Sequence, residues 1–158
     1  MSQPLLISVI VCAISVVLEG VFSGRGLKSR FRSLQMPRFS PPMSFWYVIG
    51  GFYYVMCFVV LYRLLRLPDG AIRNTAVVVV FAIMFLNVLW NWVFFRVQNL
   101  FISFIWFLPY NVLAIALLVL VARIDERTSV VIVPYMTYLI YANVWTFRLW
   151  RLNRAQSE

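Results

Sequence analysis

One apolar segment of the chain carries two carboxamides and two aromatic rings at helical spacing. The residues, at positions i, i+3, i+4 and i+7 of one helix face, are Asn87, Trp90, Asn91 and Phe94. Because an unpaired carboxamide in hydrocarbon costs free energy, we expect both amides to face protein or a wet cavity. Amides that hydrogen-bond and rings that stack suit a flat, mostly apolar ligand. The alternative is that these asparagines join helices by interhelical hydrogen bonds.

Two other apolar segments carry aromatic residues around small ones. The second segment contains Trp46, Gly50, Gly51, Tyr53, Tyr54 and Cys57, and the fifth contains Tyr138, Ala142 and Trp145. Small residues let a backbone or a flat molecule approach closely, so three such faces predict a slot inside a helix bundle. Aromatic residues are also enriched at membrane interfaces, and Trp46, Tyr135 and Trp150 fit that alternative.

Glu19 is the only acidic residue inside an apolar segment, where it continues a polar stripe with Ser8, Cys12 and Ser15. An acid at membrane depth is a functional-site hypothesis by default. The structural alternatives are that Glu19 snorkels to the interface or pairs with Arg25.

Five long apolar segments must position these residues. They cover residues 4–23, 44–62, 75–95, 100–121 and 130–150. Each has about 20 residues, enough to cross ~30 Å of hydrocarbon as a helix. Only 12% of the 158 residues are charged and 63% are hydrophobic, whereas a soluble domain has about 25% charged residues. The runs lack the alternation of a membrane β-barrel. The sequence therefore predicts an all-α integral membrane protein, a single-domain bundle of five transmembrane helices.

The residue types disfavour several classes of enzyme. The chain has no histidine, and Cys12 and Cys57 lie within apolar runs, so metal ligands and a Ser-His-Asp triad are missing. Asp125 and Glu126 lie in a short loop, where connecting helices is expected rather than acid/base work. We expect no metal and no obligatory cofactor. The first apolar run lacks the basic start of a secretory signal and is predicted to be the first helix, and no motif identifies an organelle or bacterial membrane.

The net charge of +9 comes from bases clustered between the apolar runs, which favours anionic lipid headgroups as partners and not nucleic acid. With five spans, one side carries Arg25, Lys28, Arg30, Arg32, Arg38, Arg96, Arg148, Arg151 and Arg154. The other side carries Arg63, Arg66, Arg73, Arg123 and Arg127 with Asp69, Asp125 and Glu126. The positive-inside rule predicts a cytoplasmic first loop and C-terminus. Gly20 and Gly24 form a small-xxx-small pattern that suits helix packing or a homodimer.

The connection at residues 24–43 is the only long loop. Loops of about 20 residues are usually functional or disordered. Prolines at 37, 41 and 42 stiffen the backbone, and Phe31, Leu34, Met36 and Phe39 offer apolar surface, so an ordered loop is expected. The two interpretations are a lid over the bundle mouth and a stiff connector without ligand contact.

Three sequence motifs resemble those of a known family. Residues 34–42 read LQMPRFSPP, residues 87–95 contain N-x-x-W-x-x-x-F-F, and VPY at 133–135 is followed by RLN at 151–153. In this order and spacing, over about residues 20–153, they resemble the translocator protein family, also called tryptophan-rich sensory proteins or peripheral benzodiazepine receptors, as a divergent member.

The resemblance implies a five-helix, often dimeric membrane protein that binds porphyrins, sterols and benzodiazepine-type ligands under the first loop. The ligand-binding positions that it implies in this chain are Phe31, Pro41, Asn87, Trp90, Asn91, Tyr138 and Ala142.

Several positions depart from the family pattern. Two family tryptophans that are associated with porphyrin photodegradation fall on Gly50 and Tyr138, so we expect a binding protein and not an enzyme. The remaining departures are Phe31 for a loop tyrosine, Trp92 and Arg96 for a proline and a glycine, and Phe147 for the tyrosine of the sterol motif.

These observations support one leading hypothesis of function. A multi-pass membrane protein holds a flat hydrophobic ligand, a porphyrin or tetrapyrrole or a sterol-like molecule, for transport, sensing or regulation. One alternative is a structural or regulatory membrane subunit whose aromatic faces pack on a partner protein without a small ligand. A light- or oxygen-dependent porphyrin-degrading enzyme is the third.

Overall fold

The computed structural model of the protein describes residues 2–24 and 27–154, without the side chain of Leu27. All regular structure in this part is helical. The helices are α1 (Gln3–Ser23), α2 (Leu27–Ser33), α3 (Met43–Arg66), α4 (Ala71–Trp92), α5 (Leu100–Ile105), α6 (Phe107–Ile124) and α7 (Glu126–Leu152), and a π-helical turn (Val93–Val97) extends α4. Within the described residues, five helical segments are long and apolar enough to cross a membrane, which confirms the predicted fold class.

The spans extend beyond the apolar runs at most ends. The second span continues to Arg66, the third covers Ala71–Val97, and the fifth begins at Glu126. Charged residues at helix ends lower the hydropathy without interrupting the backbone hydrogen bonds, so each helix continues past the end of its apolar run. The fourth span, Leu100–Ile124, consists of α5 and α6, which meet at Trp106.

The core lies between α3, α4, α6 and α7. Its fully buried side chains include Met56 and Val60 of α3, Ile83 of α4, Val121 of α6 and Ile132 of α7. The first span, α1, packs against α3 and α4 but leaves most of its apolar side chains exposed. Exposed apolar side chains on a membrane helix face lipid, so burial within the chain is no guide to their environment.

Side chains join the first loop, the turn after the third span and the C-terminus at one end of the bundle. The guanidinium of Arg96 donates to the carbonyls of Val21 and Phe22 at 2.9 and 3.0 Å and thereby caps the end of α1. Gly24 follows with φ +56°, and a side chain there would meet Arg96 at 3.0 Å, so glycine is required. Arg30 of α2 donates to the backbone carbonyl of Gln98 at 2.7 Å.

The opposite end of the bundle carries the two ion pairs found among the described residues. Arg63 at the end of the second span pairs with Asp125 at 2.8 Å, and Arg73 pairs with Asp69 at 2.8 Å. The Asp125 side chain also accepts a hydrogen bond from the backbone of Thr128 and so caps α7. Asp125 therefore connects helices, as its place in a short loop predicted.

The loop between the first two spans contains α2 followed by an extended, proline-containing segment at residues 34–42. Three side chains of the fifth span and its end attach this segment to the bundle. Asn153 accepts from the backbone N–H of Gln35 at 2.8 Å and donates to its carbonyl at 3.0 Å. Tyr141 donates to the Phe39 carbonyl at 3.1 Å, and Trp145 donates to the Ser40 hydroxyl at 2.7 Å. The segment is thus docked over the bundle mouth. Residues 25 and 26 of the predicted loop lie outside the described residues.

Candidate functional site

A cavity of about 570 Å³ lies inside the bundle beneath α2. Its walls are formed by Val16, Glu19, Gly20 and Ser23 of α1, Phe31 of α2, Met43, Trp46, Tyr47, Ile49, Gly50, Gly51, Tyr53 and Tyr54 of α3, Asn87, Trp90, Asn91 and Phe95 of the third span, and Tyr135, Tyr138 and Trp145 of α7. The volume falls within the range of about 300–1,000 Å³ that is usual for small-molecule sites.

The third span forms the polar wall of this cavity. Asn87, Trp90 and Asn91 lie on it. Phe94, which the helical spacing placed on the same face, is instead fully buried and stacks on Trp90 with ring centroids 4.9 Å apart. Phe95 takes its place on the wall because the π-helical turn that begins at Val93 changes the register of the face.

Hydrogen bonds fix the polar groups of this wall. The indole of Trp90 donates to the carbonyl of Ser103 at 3.1 Å, which holds the ring in place. Asn91 donates to the backbone carbonyl of Asn87 at 3.0 Å. Asn87 donates to the carboxyl of Glu19 on α1. Among the described residues, no donor reaches the side-chain oxygen of either asparagine, so both amides keep an acceptor for a ligand.

The first span supplies a wall that the aromatic pattern did not predict. Glu19 lies on the cavity with Val16, Gly20 and Ser23, whereas the sequence placed the slot between the second, third and fifth segments only. The signal that identifies this wall is the single acid within an apolar run. The predicted alternative of a pair with Arg25 lies outside the described residues.

The second span provides the open side of the cavity. A Cβ added to Gly50 or Gly51 would meet no atom within 4 Å, so these glycines leave free space. Gly51, Tyr47 and Gly20 line the cavity and are also exposed on the outer surface. The cavity therefore borders the lipid-facing surface between α1 and α3.

Three aromatic rings form the end of the cavity beneath the first loop. Phe31 of α2 stacks on Trp145 with centroids 6.3 Å apart, and Trp46 lies 4.7 Å from Trp145. Leu34 and Phe94 belong to the same apolar cluster. Because Trp145 also holds Ser40, the loop, the second span and the fifth span meet at one indole ring.

The structure brings five of the seven predicted ligand-binding residues to one cavity. Phe31, Asn87, Trp90, Asn91 and Tyr138 line it.

The other two predicted residues lie elsewhere. Pro41 lines a neighbouring shallow pocket of about 420 Å³, which shares Phe31 and Trp46 with the cavity. Ala142 is buried and absent from the wall, because the larger rings on its face, Tyr138 and Trp145, form the surface there.

Other aromatic residues have structural roles. Tyr135, one candidate for an interfacial belt, is buried, and its hydroxyl lies 2.6 Å from that of Tyr110. Trp150 packs parallel to Phe104 of α5 at 6.2 Å. Asn111 and Asn143 form an interhelical amide pair. The alternative that the sequence offered for Asn87 and Asn91, a hydrogen bond between helices, is met by Asn87, which donates to Glu19 of α1.

The groups on the cavity wall are mainly aromatic and neutral polar. Among the described residues, the walls contain rings, two amides, tyrosine hydroxyls and one carboxyl, and no lysine or arginine. Within residues 2–24 and 27–154, no cluster of histidine, cysteine, aspartate and glutamate could hold a metal ion. Cys12 and Cys57 are both free thiols.

The fold and the cavity define a multi-pass membrane protein whose helix bundle contains a cavity lined by aromatic and polar side chains. The family model described as the TspO/MBR family matches residues 8–151, nearly the whole chain. The chain belongs to this family, which confirms the resemblance of its three motifs. No curated protein matches the sequence.

Proposed function

We propose that the protein binds a flat hydrophobic ligand, a porphyrin or other tetrapyrrole or a sterol-like molecule, in the cavity beneath the first loop, for transport, sensing or regulation. The observation that carries the proposal is the 570 Å³ cavity, in which amides and aromatic rings from separate spans share one surface. A preformed apolar space with a few converging polar groups is the usual composition of a ligand site.

Each part of the wall has a role in this proposal. The rings of Trp90 and Tyr138 contact the flat faces of the ligand, and the free amide oxygens of Asn87 and Asn91 accept from its polar hydrogens. The family resemblance places ligand contacts at the same four positions.

The neighbouring pocket beneath the loop supplies positive charge for the anionic groups of a ligand. It is lined by Lys28 and Arg32 as well as by Phe31 and Trp46, which also line the cavity. Porphyrin carboxylates at this mouth would pair with the two bases, while the ring system occupies the apolar interior. A sterol would place its hydroxyl at the amides.

The charge distribution supports an orientation with the loop end of the bundle in the cytoplasm. Arg38, Arg148 and Arg151 line a surface pocket of about 560 Å³ at this end, with Phe39 and Leu152. Such a combination of bases and apolar side chains suits the headgroups and upper chains of anionic lipids. A homodimer through Gly20 and Gly24 stays a prediction.

Titration with protoporphyrin IX in uncharged detergent micelles tests the site, with tryptophan fluorescence as the readout. The wild-type protein should show saturable quenching, and the Asn87→Ala, Trp90→Ala double variant should bind at least ~10-fold more weakly, since stacking and a hydrogen bond are both lost. A parallel titration with the fluorescent sterol dehydroergosterol decides between the two ligand classes.

A matched control uses the same residue types on the same helix. Asn74 and Trp92 of α4 are exposed and absent from the cavity wall, so the Asn74→Ala, Trp92→Ala variant should bind like the wild type. Equal affinity of both double variants would contradict the site. A stoichiometric partner protein that co-purifies without any extractable pigment or lipid would favour the structural-subunit alternative instead.

A further inference from the structure

The most unusual residue of the cavity is Glu19. In the part of the chain that the structure describes, it is the only acidic residue on the wall, and no lysine or arginine lies there with it. The described ion pairs of the chain are Arg63–Asp125 and Arg73–Asp69, at the opposite end of the bundle. Among the described residues, Glu19 therefore has no cationic partner.

The neighbours of Glu19 are neutral hydrogen-bond donors. The amide of Asn87 donates to its carboxyl. The Tyr54 hydroxyl lies beside the same carboxyl, but its geometry is not that of a hydrogen bond, and it has no partner among the described residues. Neutral donors stabilise a carboxylate without neutralising it, and an ionised group away from water is costly unless it meets an opposite charge.

We propose that the Glu19 end of the cavity binds the protonated nitrogen of a flat lipophilic amine. This inference rests on the proposed function, because it names the chemical class of ligand that the same cavity prefers. The amine donates to the Glu19 carboxylate, and the aromatic system attached to it lies between the rings of the walls.

Aromatic walls favour the same class of ligand. Trp46, Tyr54, Trp90 and Tyr138 all line the cavity, and the faces of such rings attract cations, most strongly away from water. An aromatic enclosure with one carboxylate thus suits a flat amine both by its electrostatics and by its shape.

The charge of the whole chain makes this arrangement selective. The protein has a net charge of +9, yet none of the described bases lies on the cavity wall. Lys28 and Arg32 lie in the pocket at the mouth. A ligand with an anionic group is repelled by Glu19 and directs that group to Lys28 and Arg32 at the mouth. A ligand with a cationic nitrogen directs it to the Glu19 end.

Two probes of the same three-ring shape test the charge preference. 9-Aminoacridine is a cation at neutral pH, and anthracene is neutral, so their difference reports the contribution of charge. In uncharged detergent micelles at pH 7, the wild-type protein should bind 9-aminoacridine at least ~10-fold more tightly than anthracene. Glu19→Gln keeps the acceptor for Asn87 but removes the charge, so it should weaken the binding of 9-aminoacridine more than that of anthracene and thereby abolish the preference.

Three further variants test whether the charge preference depends on Glu19 and whether the probes bind in the cavity. Glu126→Gln makes the same chemical change at an exposed position at the other end of the bundle and should keep the preference. Glu19→Asp retains the carboxylate and should keep at least part of the preference for the cation. Gly50→Trp fills the free space beside the second span and should weaken the binding of both probes.

The outcomes separate this inference from the proposed function. Weaker binding of both probes to the Gly50→Trp variant shows that they bind in the cavity. If they do, but Glu19→Gln retains the preference for the cation, the proposed role of Glu19 is overturned and the cavity proposal stands. If Gly50→Trp weakens neither probe and protoporphyrin IX and the sterol also fail to bind, both proposals are overturned.

Discussion

Two pairs of asparagines within the spans have different surroundings in this protein. Asn111 of α6 and Asn143 of α7 hydrogen-bond to each other in both directions, at 2.9 and 3.1 Å, and so satisfy each other across the helix interface. Asn87 and Asn91 of α4 lie on one helix and border the cavity. The same residue type therefore forms a closed interhelical pair at one place in the bundle and part of a cavity wall at another.

The two pairs differ in the side chains that face them from the neighbouring helix. Asn111 faces a complementary amide, so the interface can close around the pair. Asn87 faces Glu19, and Gly50 and Gly51 provide no side chain to fill the space on the adjacent helix. An amide on the wall of a cavity contributes less to folding, because its side-chain oxygen has no hydrogen-bond partner among the described residues.

The largest expected effect on stability follows from breaking the closed pair. Asn143→Leu leaves the Asn111 amide without its partner and should lower the free energy of unfolding by about 1–2 kcal/mol. Asn91→Leu, on the open wall, should lower it by less than ~0.5 kcal/mol. Unfolding in detergent micelles, followed by circular dichroism during SDS titration, measures both.

The reciprocal nature of the pair gives a sharper test. The Asn111→Leu, Asn143→Leu double variant removes both amides and should recover part of the loss, because no polar group is left unpaired. Protoporphyrin IX binding should be unchanged in these variants. A larger destabilisation from Asn91→Leu than from Asn143→Leu would reverse the assigned roles.

A smaller effect is expected at the attachment of the first loop. Asn153 is buried and makes two hydrogen bonds to the backbone of Gln35, so Asn153→Ala should cost about 1 kcal/mol and act locally. Hydrogen exchange should increase in residues 34–42 and remain unchanged in α6. Asn74→Ala, an exposed asparagine at the other end, is the control. Unchanged exchange in 34–42 would show that Asn153 does not hold the loop.

The smallest effect is expected from the ion pair at the far end of the bundle. The Arg63 guanidinium hydrogen-bonds to Asp125 and holds its pKa below the ordinary value of 3.8, against the opposing effect of burial and with help from Thr128. A lowered pKa in the folded state means that this stabilisation is present above the unfolded pKa and is lost as the pH falls through the folded pKa. Because the Arg63 side chain is 46% exposed, the contribution should be below ~1 kcal/mol.

Unfolding measured from pH 6 down to pH 3 checks this dependence. The wild type should lose stability at the acidic end, and Asp125→Asn should show a flatter profile, because the titrating carboxyl is gone. Ligand affinity at neutral pH should be the same in both proteins, since the pair is remote from the cavity. Identical pH profiles would remove Asp125 as the source of the effect.

Hydropathy predicted the five spans because hydrocarbon requires continuous apolar helices, and this requirement is local in sequence. It predicted their ends less well, because Arg63 and Glu126 belong to helices that have already left the apolar region. Helical spacing assigned Asn87, Trp90 and Asn91 to one face correctly. It also turned Phe94 toward the protein interior, where the ring is buried and stacks on Trp90. It did not predict that Phe95 lines the cavity in place of Phe94, because a π-helical turn is not visible in residue spacing.

The sequence by itself determined that this chain is a membrane bundle, which faces of its helices are polar or aromatic, and which end is basic. These properties follow from solvation and helical periodicity, which act along each segment separately. Only the tertiary structure decided which asparagines meet a partner, that Glu19 lies on the cavity wall, and that Ala142 does not. Those outcomes depend on how helices distant in sequence pack against each other, and an unfilled space exists only between elements.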